Sequence, residues 1–315
     1  MIVDSEFSPP WWLRNPHLQT LTGSKIFKPP KITTLSQRIE RNDGDFTDIN
    51  VCEDCVGDPV AIFHGLAGCF SSSYVQGAFN SLLASGFSPV LMHWRGCSGE
   101  PNRLSRSYHS GSSDEVAWFI EYLRQRFDQR PVHAVGFSLG ANALLKYLGE
   151  SGEQSGLTSA LAVSPPLVLQ VGANQLSQGF SRIYQYYLLA LLRKQHERKR
   201  SLYPELNLPP ATEKLKNFWA FDDALTAPLH GFANVHDYYE KCSSRQYLPA
   251  IKTPTWILCA LDDPFFNESI LPEENELSSS TTLELSRRGG HVGFIGDQAR
   301  QRRWLDHSLA SRLRG

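Results

Sequence analysis

Short apolar runs, each closed off by glycine, proline or polar residues, recur along this chain. The clearest are Pro59-Val60-Ala61-Ile62-Phe63, Pro89-Val90-Leu91-Met92-His93-Trp94, Pro131-Val132-His133-Ala134-Val135, Ser159-Ala160-Leu161-Ala162-Val163 and Thr255-Trp256-Ile257-Leu258-Cys259-Ala260. None of them alternates apolar with polar residues, which is the pattern of strands buried on both faces. Helical spacing fills the gaps. A helix is predicted from Ser72 to Ala84, and another from Asp114, with Val116, Phe119, Ile120 and Leu123 on one face. Two weaker strands are predicted within residues 33–55, joined at Asn42-Asp43-Gly44, and a last short one at Thr282–Leu285. Strands alternating with helices predict an α/β fold with a mostly parallel twisted sheet covered on both faces, the first strand pair forming an antiparallel edge. Residues 1–30, rich in proline and aromatic residues, are expected to lie as an irregular strap on the body.

The stretch 168–248 breaks this rhythm. Phe180, Ile183, Tyr184, Tyr187, Leu188, Leu191 and Leu192 mark one apolar helix face, and a basic run from Arg193-Lys194 to Arg200 follows as an expected solvated helix end. The domain expectation is a core of residues 1–167 and 249–315 with a helical cap insertion at 168–248. That cap has three readings: a helix packed on the sheet, the lining of an acyl pocket, or a membrane-surface contact.

Composition narrows the function classes. A net charge of −1 over 315 residues gives no electrostatic bias toward nucleic acid or an anionic surface. No apolar run reaches the roughly 20 residues of a membrane span. The first residues, Met1 to Glu6, have neither a basic nor an apolar leader pattern, so the expected address is the cytoplasm. Cys52-Glu53-Asp54-Cys55 is the only paired spacing among the six cysteines, with no second pair at zinc-ribbon distance. Free thiols in a reducing compartment are expected. The histidines form no H-E-x-x-H pair, no G-x-G-x-x-G opens a helix after an early strand, and Gly65–Gly68 lacks the Gly-Lys-Ser/Thr of a phosphate loop. No metal is expected, a dinucleotide site is unsupported, and the oligomeric state is open, with a monomer favoured.

Gly136-Phe137-Ser138-Leu139-Gly140 follows one of the buried strands and precedes a helix starting near Ala141. A serine in that strand-turn-helix setting is an exposed nucleophile, and its glycine neighbours leave room for the turn. A serine hydroxyl needs a base, a carboxylate to orient the base, and donors for the oxyanion. In an open sheet these follow in the order serine, acid, histidine. Asp262-Asp263 stands after the strand ending at Ala260, and His291 lies in the loop Gly289-Gly290-His291-Val292-Gly293 after the last strand. Asp263 is favoured over Asp262, which suits a turn carboxylate. The backbone N–H groups of Leu66, in His64-Gly65-Leu66-Ala67-Gly68, and of Leu139 are the expected oxyanion donors. His64 itself is expected to shape its loop.

With these parts placed, the chain resembles the α/β-hydrolase superfamily and, within it, the YheT-like esterase family. The narrower likeness rests on Trp12-Leu13-Arg14-Asn15-Pro16-His17-Leu18-Gln19-Thr20, the loop from Arg95-Gly96-Cys97-Ser98-Gly99 to Tyr108-His109-Ser110-Gly111, and Gly289 to Phe294. It covers nearly the whole chain. The resemblance implies an α/β-hydrolase fold, a Ser138–Asp263–His291 triad, no cofactor, and hydrolysis of small-molecule carboxylic esters, of short- to medium-chain or lipid-like type. An acyltransferase using the same triad, or a hydrolase-shaped binding protein without turnover, are the alternative functions. For Asn15–Thr20 a structural strap is the reading.

Overall fold

The computed structural model describes residues 1–25, 29–53, 56–297 and 303–314. Cys55, and with it the Cys52–Cys55 spacing, lies outside the described residues, as do residues 26–28 of the expected strap. Nine strands form one sheet: β1 (Ile2–Asp4), β2 (Leu35–Glu40), β3 (Phe46–Val51), β4 (Pro59–Phe63), β5 (Ser88–Met92), β6 (His133–Phe137), β7 (Ser159–Val163), β8 (Thr255–Ala260) and β9 (Thr281–Ser286). Their spatial order is β1-β9-β8-β7-β6-β4-β5-β3-β2. The pairs from β1 to β5 in that order are parallel, and β3 and β2 close the far side in antiparallel register.

Every residue of β4, β5, β6 and β7 is buried, as continuous apolar runs require in a sheet covered twice. Alternate side chains of β4 separate the two layers. Ala61 and Phe63 join one core with α3 (Ser113–Arg126) and α4 (Leu139–Ser151) through Phe119, Leu123, Leu144 and Leu148. Val60 and Ile62 join the other with α2 (Ser73–Ala84) and α10 (Trp304–Arg314) through Phe79, Leu82, Leu305 and Leu309.

Two expectations need correcting. The N-terminal segment is not irregular: β1 pairs with β9, a tight turn forms at Trp11–Leu13, and α1 spans Pro16–Lys25. Asn15 starts α1 by accepting the amides of His17 and Leu18, and Pro16 takes a first-turn position where its missing N–H costs nothing. An Asn-Pro pair signals a turn as readily as a helix start, which hides this helix from a periodicity reading.

The second correction concerns which residues of the connection between β7 and β8 are buried. It is helical: α5 (Leu169–Leu176), α6 (Arg182–Leu202), α7 (Phe218–Phe221), α8 (Ala227–Leu229) and α9 (Val235–Cys242) share a small core of their own. On α6 the inward face runs through Tyr184, Gln185, Leu188, Leu189 and Leu192, whereas Phe180, Ile183 and Tyr187 of the expected face are at least half exposed. The basic run is not wholly solvated either. Lys199 is 3% exposed, and its ammonium is held by Asn102, Ser105, Arg106 and Ser107 of the loop after β5. Among the described residues no helix is long and apolar enough to cross a membrane. Cys69, Cys97, Cys242 and Cys259 are free thiols.

Candidate active site

The strand β6 runs straight into α4 with only Ser138 between them: β6 ends two residues beyond the expected strand end and α4 starts two before the expected helix start. A chain cannot reverse direction that sharply in an ordinary conformation. Ser138 takes φ 51° and ψ −118°, a left-handed value that costs a residue with a side chain about 1–3 kcal/mol. The flanking glycines are required by contact. A Cβ on Gly136 would lie 2.6 Å from the Ala141 Cα, and one on Gly140 would lie 2.3 Å from the Phe63 carbonyl oxygen. The serine is thereby pushed out of the core and is only partly buried.

The carboxyl ends of β8 and β9 bring the other two candidates to it. His291 Nε2 lies 2.9 Å from Ser138 Oγ, and His291 Nδ1 lies 2.8 Å from Asp263 Oδ2. Asp263 is 6% exposed, and its other oxygen accepts the Phe265 amide at 2.8 Å, which fixes the carboxylate plane. Asp262 points elsewhere: Oδ1 accepts the Gly290 amide at 2.9 Å, and burial raises its pKa. It ties the β8 loop to the histidine loop rather than forming a local turn. Phe265 also stacks flat on the His291 ring, 3.9 Å between centroids at 7°. That ring contact carries no sequence signal, since nothing in Asp-Asp-Pro-Phe-Phe says which aromatic residue turns back.

The loop after β4 faces the serine, with Gly65 so close that a Cβ there would sit 3.2 Å from the Ser138 Cβ. Its amides divide in an informative way. Gly65 N–H donates to the Tyr74 hydroxyl, Ala67 N–H to the Tyr108 hydroxyl and Gly68 N–H to the Gly65 carbonyl. Among the described residues no acceptor takes the Leu66 N–H, nor the Leu139 N–H at the first turn of α4, where helix geometry leaves amides unpaired. His64 Nδ1 donates to the Gly65 carbonyl at 2.7 Å and its Nε2 accepts the Trp94 amide. Complete burial and the neighbouring His93 press its pKa down to about 3, so it stays neutral. Neither hydroxyl is legible in the sequence as a partner of this loop: Tyr108 lies 41 positions from Ala67, and Tyr74, although only nine from Gly65, stands in the first turn of a helix whose period does not say that its ring turns back. The Tyr-His-Ser-Gly stretch hinted at Tyr108.

Ser138 and Leu139 open on a cavity of about 180 Å³ whose walls include Leu66, Leu169, Leu176, Leu188, Leu192, Phe218, Phe221, Leu225 and Phe265. Most of that lining comes from the β7–β8 helices. The wall also carries a hydrogen-bonded polar cluster of Asn102, Ser107, His230 and Lys199. Burial lowers the Lys199 pKa to about 8. Asp222 is also on the wall, at the start of a π-helical turn, where burial raises its pKa to about 6 against the opposing hydroxyls of Thr226 and Tyr239. Among the described residues no group of three or more metal-ligating side chains converges.

The comparisons with known proteins agree with this fold. Residues 58–298 match the family model described as alpha/beta hydrolase fold. The chain is 40% identical over 299 residues to “Putative esterase YheT” of Escherichia coli (strain K12), covering 93% of this chain and 88% of that protein. It is 30% identical over 263 residues to a Saccharomyces cerevisiae “Monoacylglycerol lipase”, covering 80% of this chain and 58% of that protein. In fold it is similar to the Pyrococcus furiosus esterase Pf2001, with a TM-score of 0.58 at 14% identity over 91% of this chain and 98% of that one. The chain belongs to the α/β-hydrolase family and, within it, to the YheT-like esterases.

Proposed function

We propose that this hydrolase cleaves carboxylic esters through an acyl-enzyme on Ser138. The observation that carries the reading is the relay from Ser138 Oγ to His291 Nε2 and from Nδ1 to Asp263 Oδ2, at 2.9 and 2.8 Å. In this mechanism Ser138 Oγ attacks the ester carbonyl while His291 Nε2 takes its proton. Asp263 accepts from Nδ1–H, holding the tautomer that leaves Nε2 free and stabilising the imidazolium that forms. The amides of Leu66 and Leu139 receive the developing oxyanion, each such donor contributing about 3–4 kcal/mol to the transition state. His291 then returns its proton to the departing alcohol, and deprotonates the water that releases the acid.

Residues 168–248 act in this proposal as the cap that encloses the acyl chain. The support is that most of the apolar cavity wall comes from them. A lining of leucine and phenylalanine fits an unbranched acyl group of short to medium length, or the acyl part of a lipid-like ester. The cytoplasm is the proposed compartment, consistent with the free thiols.

Purified protein should hydrolyse p-nitrophenyl esters across a graded chain-length panel, and Ser138→Ala should abolish turnover without lowering Tm. Undiminished hydrolysis by that variant would overturn the assignment. With ethanol added, the free acid is expected as the only acyl product; ethyl ester formation would instead mark a transferase.

A further inference from the structure

The loop that carries His291 is poorly equipped to hold itself in place. Gly290, Val292 and Phe294 all sit at positive φ, and the loop's own backbone bond is Phe294 N–H to Gly289 O. Four of its other amides are taken by side chains from distant elements. Gly290 N–H goes to Asp262, His291 N–H to Thr20 Oγ1 at 2.9 Å, Val292 N–H to Ser164 Oγ, and Ile295 N–H to Gln19 Oε1 at 2.8 Å.

Two of those four anchors belong to the first turns of α1. Gln19 is fully buried, and its amide nitrogen donates both to the Leu13 carbonyl and to the Ile295 carbonyl, each at 3.0 Å. Thr20 donates its hydroxyl to the Pro16 carbonyl at 2.8 Å, which leaves the oxygen's lone pairs aimed at the His291 amide. The contact is too close for side chains on the loop. A Cβ on Gly290 would lie 2.5 Å from the Pro16 carbonyl oxygen, and one on Gly293 would lie 2.6 Å from the Gln19 carbonyl oxygen. The Asn-Pro-His-Leu-Gln-Thr and Gly-Gly-His-Val-Gly stretches are thus two halves of one contact.

We infer that Gln19 and Thr20 are positioning residues that set where the His291 imidazole stands over Ser138. The inference rests on the reading of His291 as the base. Backbone placement fixes the Cα of His291, and Phe265 with Asp263 then fixes its ring. Losing the Thr20 acceptor frees the His291 amide and lets the loop drift. Reacting atoms tolerate little of this, since a displacement of about 1 Å in such a constellation costs about 100-fold. The cavity walls that bind the acyl chain are formed by other residues, so binding is spared.

The test is Thr20→Val, which keeps shape and removes the hydroxyl, beside Thr20→Ser, which keeps the hydroxyl. Thr20→Val should lower kcat about 10- to 100-fold with KM within about twofold, and Thr20→Ser should restore most of it. The rate of Ser138 labelling by a fluorophosphonate, corrected for the folded fraction, should fall in parallel. Wild-type kcat in Thr20→Val, or a loss fully accounted for by unfolded protein, would overturn the inference. Should Thr20→Val fail to fold, Gln19→Glu serves in its place: it keeps the Ile295 acceptor and loses the two donated bonds. A kcat for Gln19→Glu equal to wild type would count equally against positioning. The underlying reading fails separately, by full activity in His291→Ala.

Discussion

The floor and the roof of the cavity are built on different principles. The floor, made by the turns after β4, β6, β8 and β9, is assembled from single atoms with assigned partners. Ser138 holds a strained backbone, glycines at 136 and 140 touch neighbouring backbone, and consecutive amides of the histidine loop each have a named acceptor. The roof, from α5 to α9, is an apolar assembly in which Leu169, Leu176, Phe218, Phe221 and Leu225 pack around a small core. Directional contacts tolerate almost no substitution, while packing of similar volumes tolerates many. In the proposed mechanism the chemistry is therefore fixed in the floor, and chain-length preference is adjustable in the roof.

The sharpest way to break this contrast is within the floor itself. Asp263→Asn should reduce kcat by about 10⁴-fold, because the amide presents the wrong tautomer to His291. Asp262→Asn retains an acceptor for the Gly290 amide and should cost less than about 10-fold. Similar losses in the two variants, measured on one short ester, would remove the distinction between the neighbouring carboxylates.

A roof substitution should move stability instead. The Asp222 carboxyl keeps its proton to about pH 6 when folded, against an ordinary value of 3.8, because burial penalises its charge. The folded state therefore binds more protons between these values, and stability falls as pH rises through that window. Above it the cost is about 3 kcal/mol. Asp222→Asn removes the charge, so Tm should rise by several degrees at pH 7.5, and the advantage should vanish below pH 4. A gain that is the same at both pH values would refute the burial account.

The smallest effect is expected in specificity. Leu188→Trp fills part of the roof and should shift the optimum of an ester panel to shorter chains, lowering kcat/KM for the formerly best ester by about 10-fold. Activity on the shortest ester should stay within about twofold. If all chain lengths fell together, the roof would be acting on chemistry, and the comparison would fail.

This division also explains what could be read from the chain. Strand-helix alternation, the Gly-Phe-Ser-Leu-Gly turn and the order of serine, acid and histidine are local signals, because each residue's neighbours in sequence create its environment. The partners that hold the loops are not. Tyr108 on the Ala67 amide, Phe265 on His291 and Thr20 on the His291 amide span 41, 26 and 271 positions. In α6, a helical period is legible, yet which part of a broad apolar arc turns inward depends on neighbours the period cannot name. The burial of Lys199 is hidden for the same reason, since only the folded loop after β5 supplies its acceptors.

The free thiols give the two regions separate clocks. Cys259 lies in β8 beneath the acid, and Cys242 ends α9 in the roof; both are buried and their thiols are pushed up, Cys242 to about 12. Neither reacts with an alkylating reagent until its surroundings open. Pulsed alkylation followed by peptide mass analysis would time the opening of roof and floor within one molecule. A roof that opens more often than the floor would admit ester and release acid while the relay stays assembled.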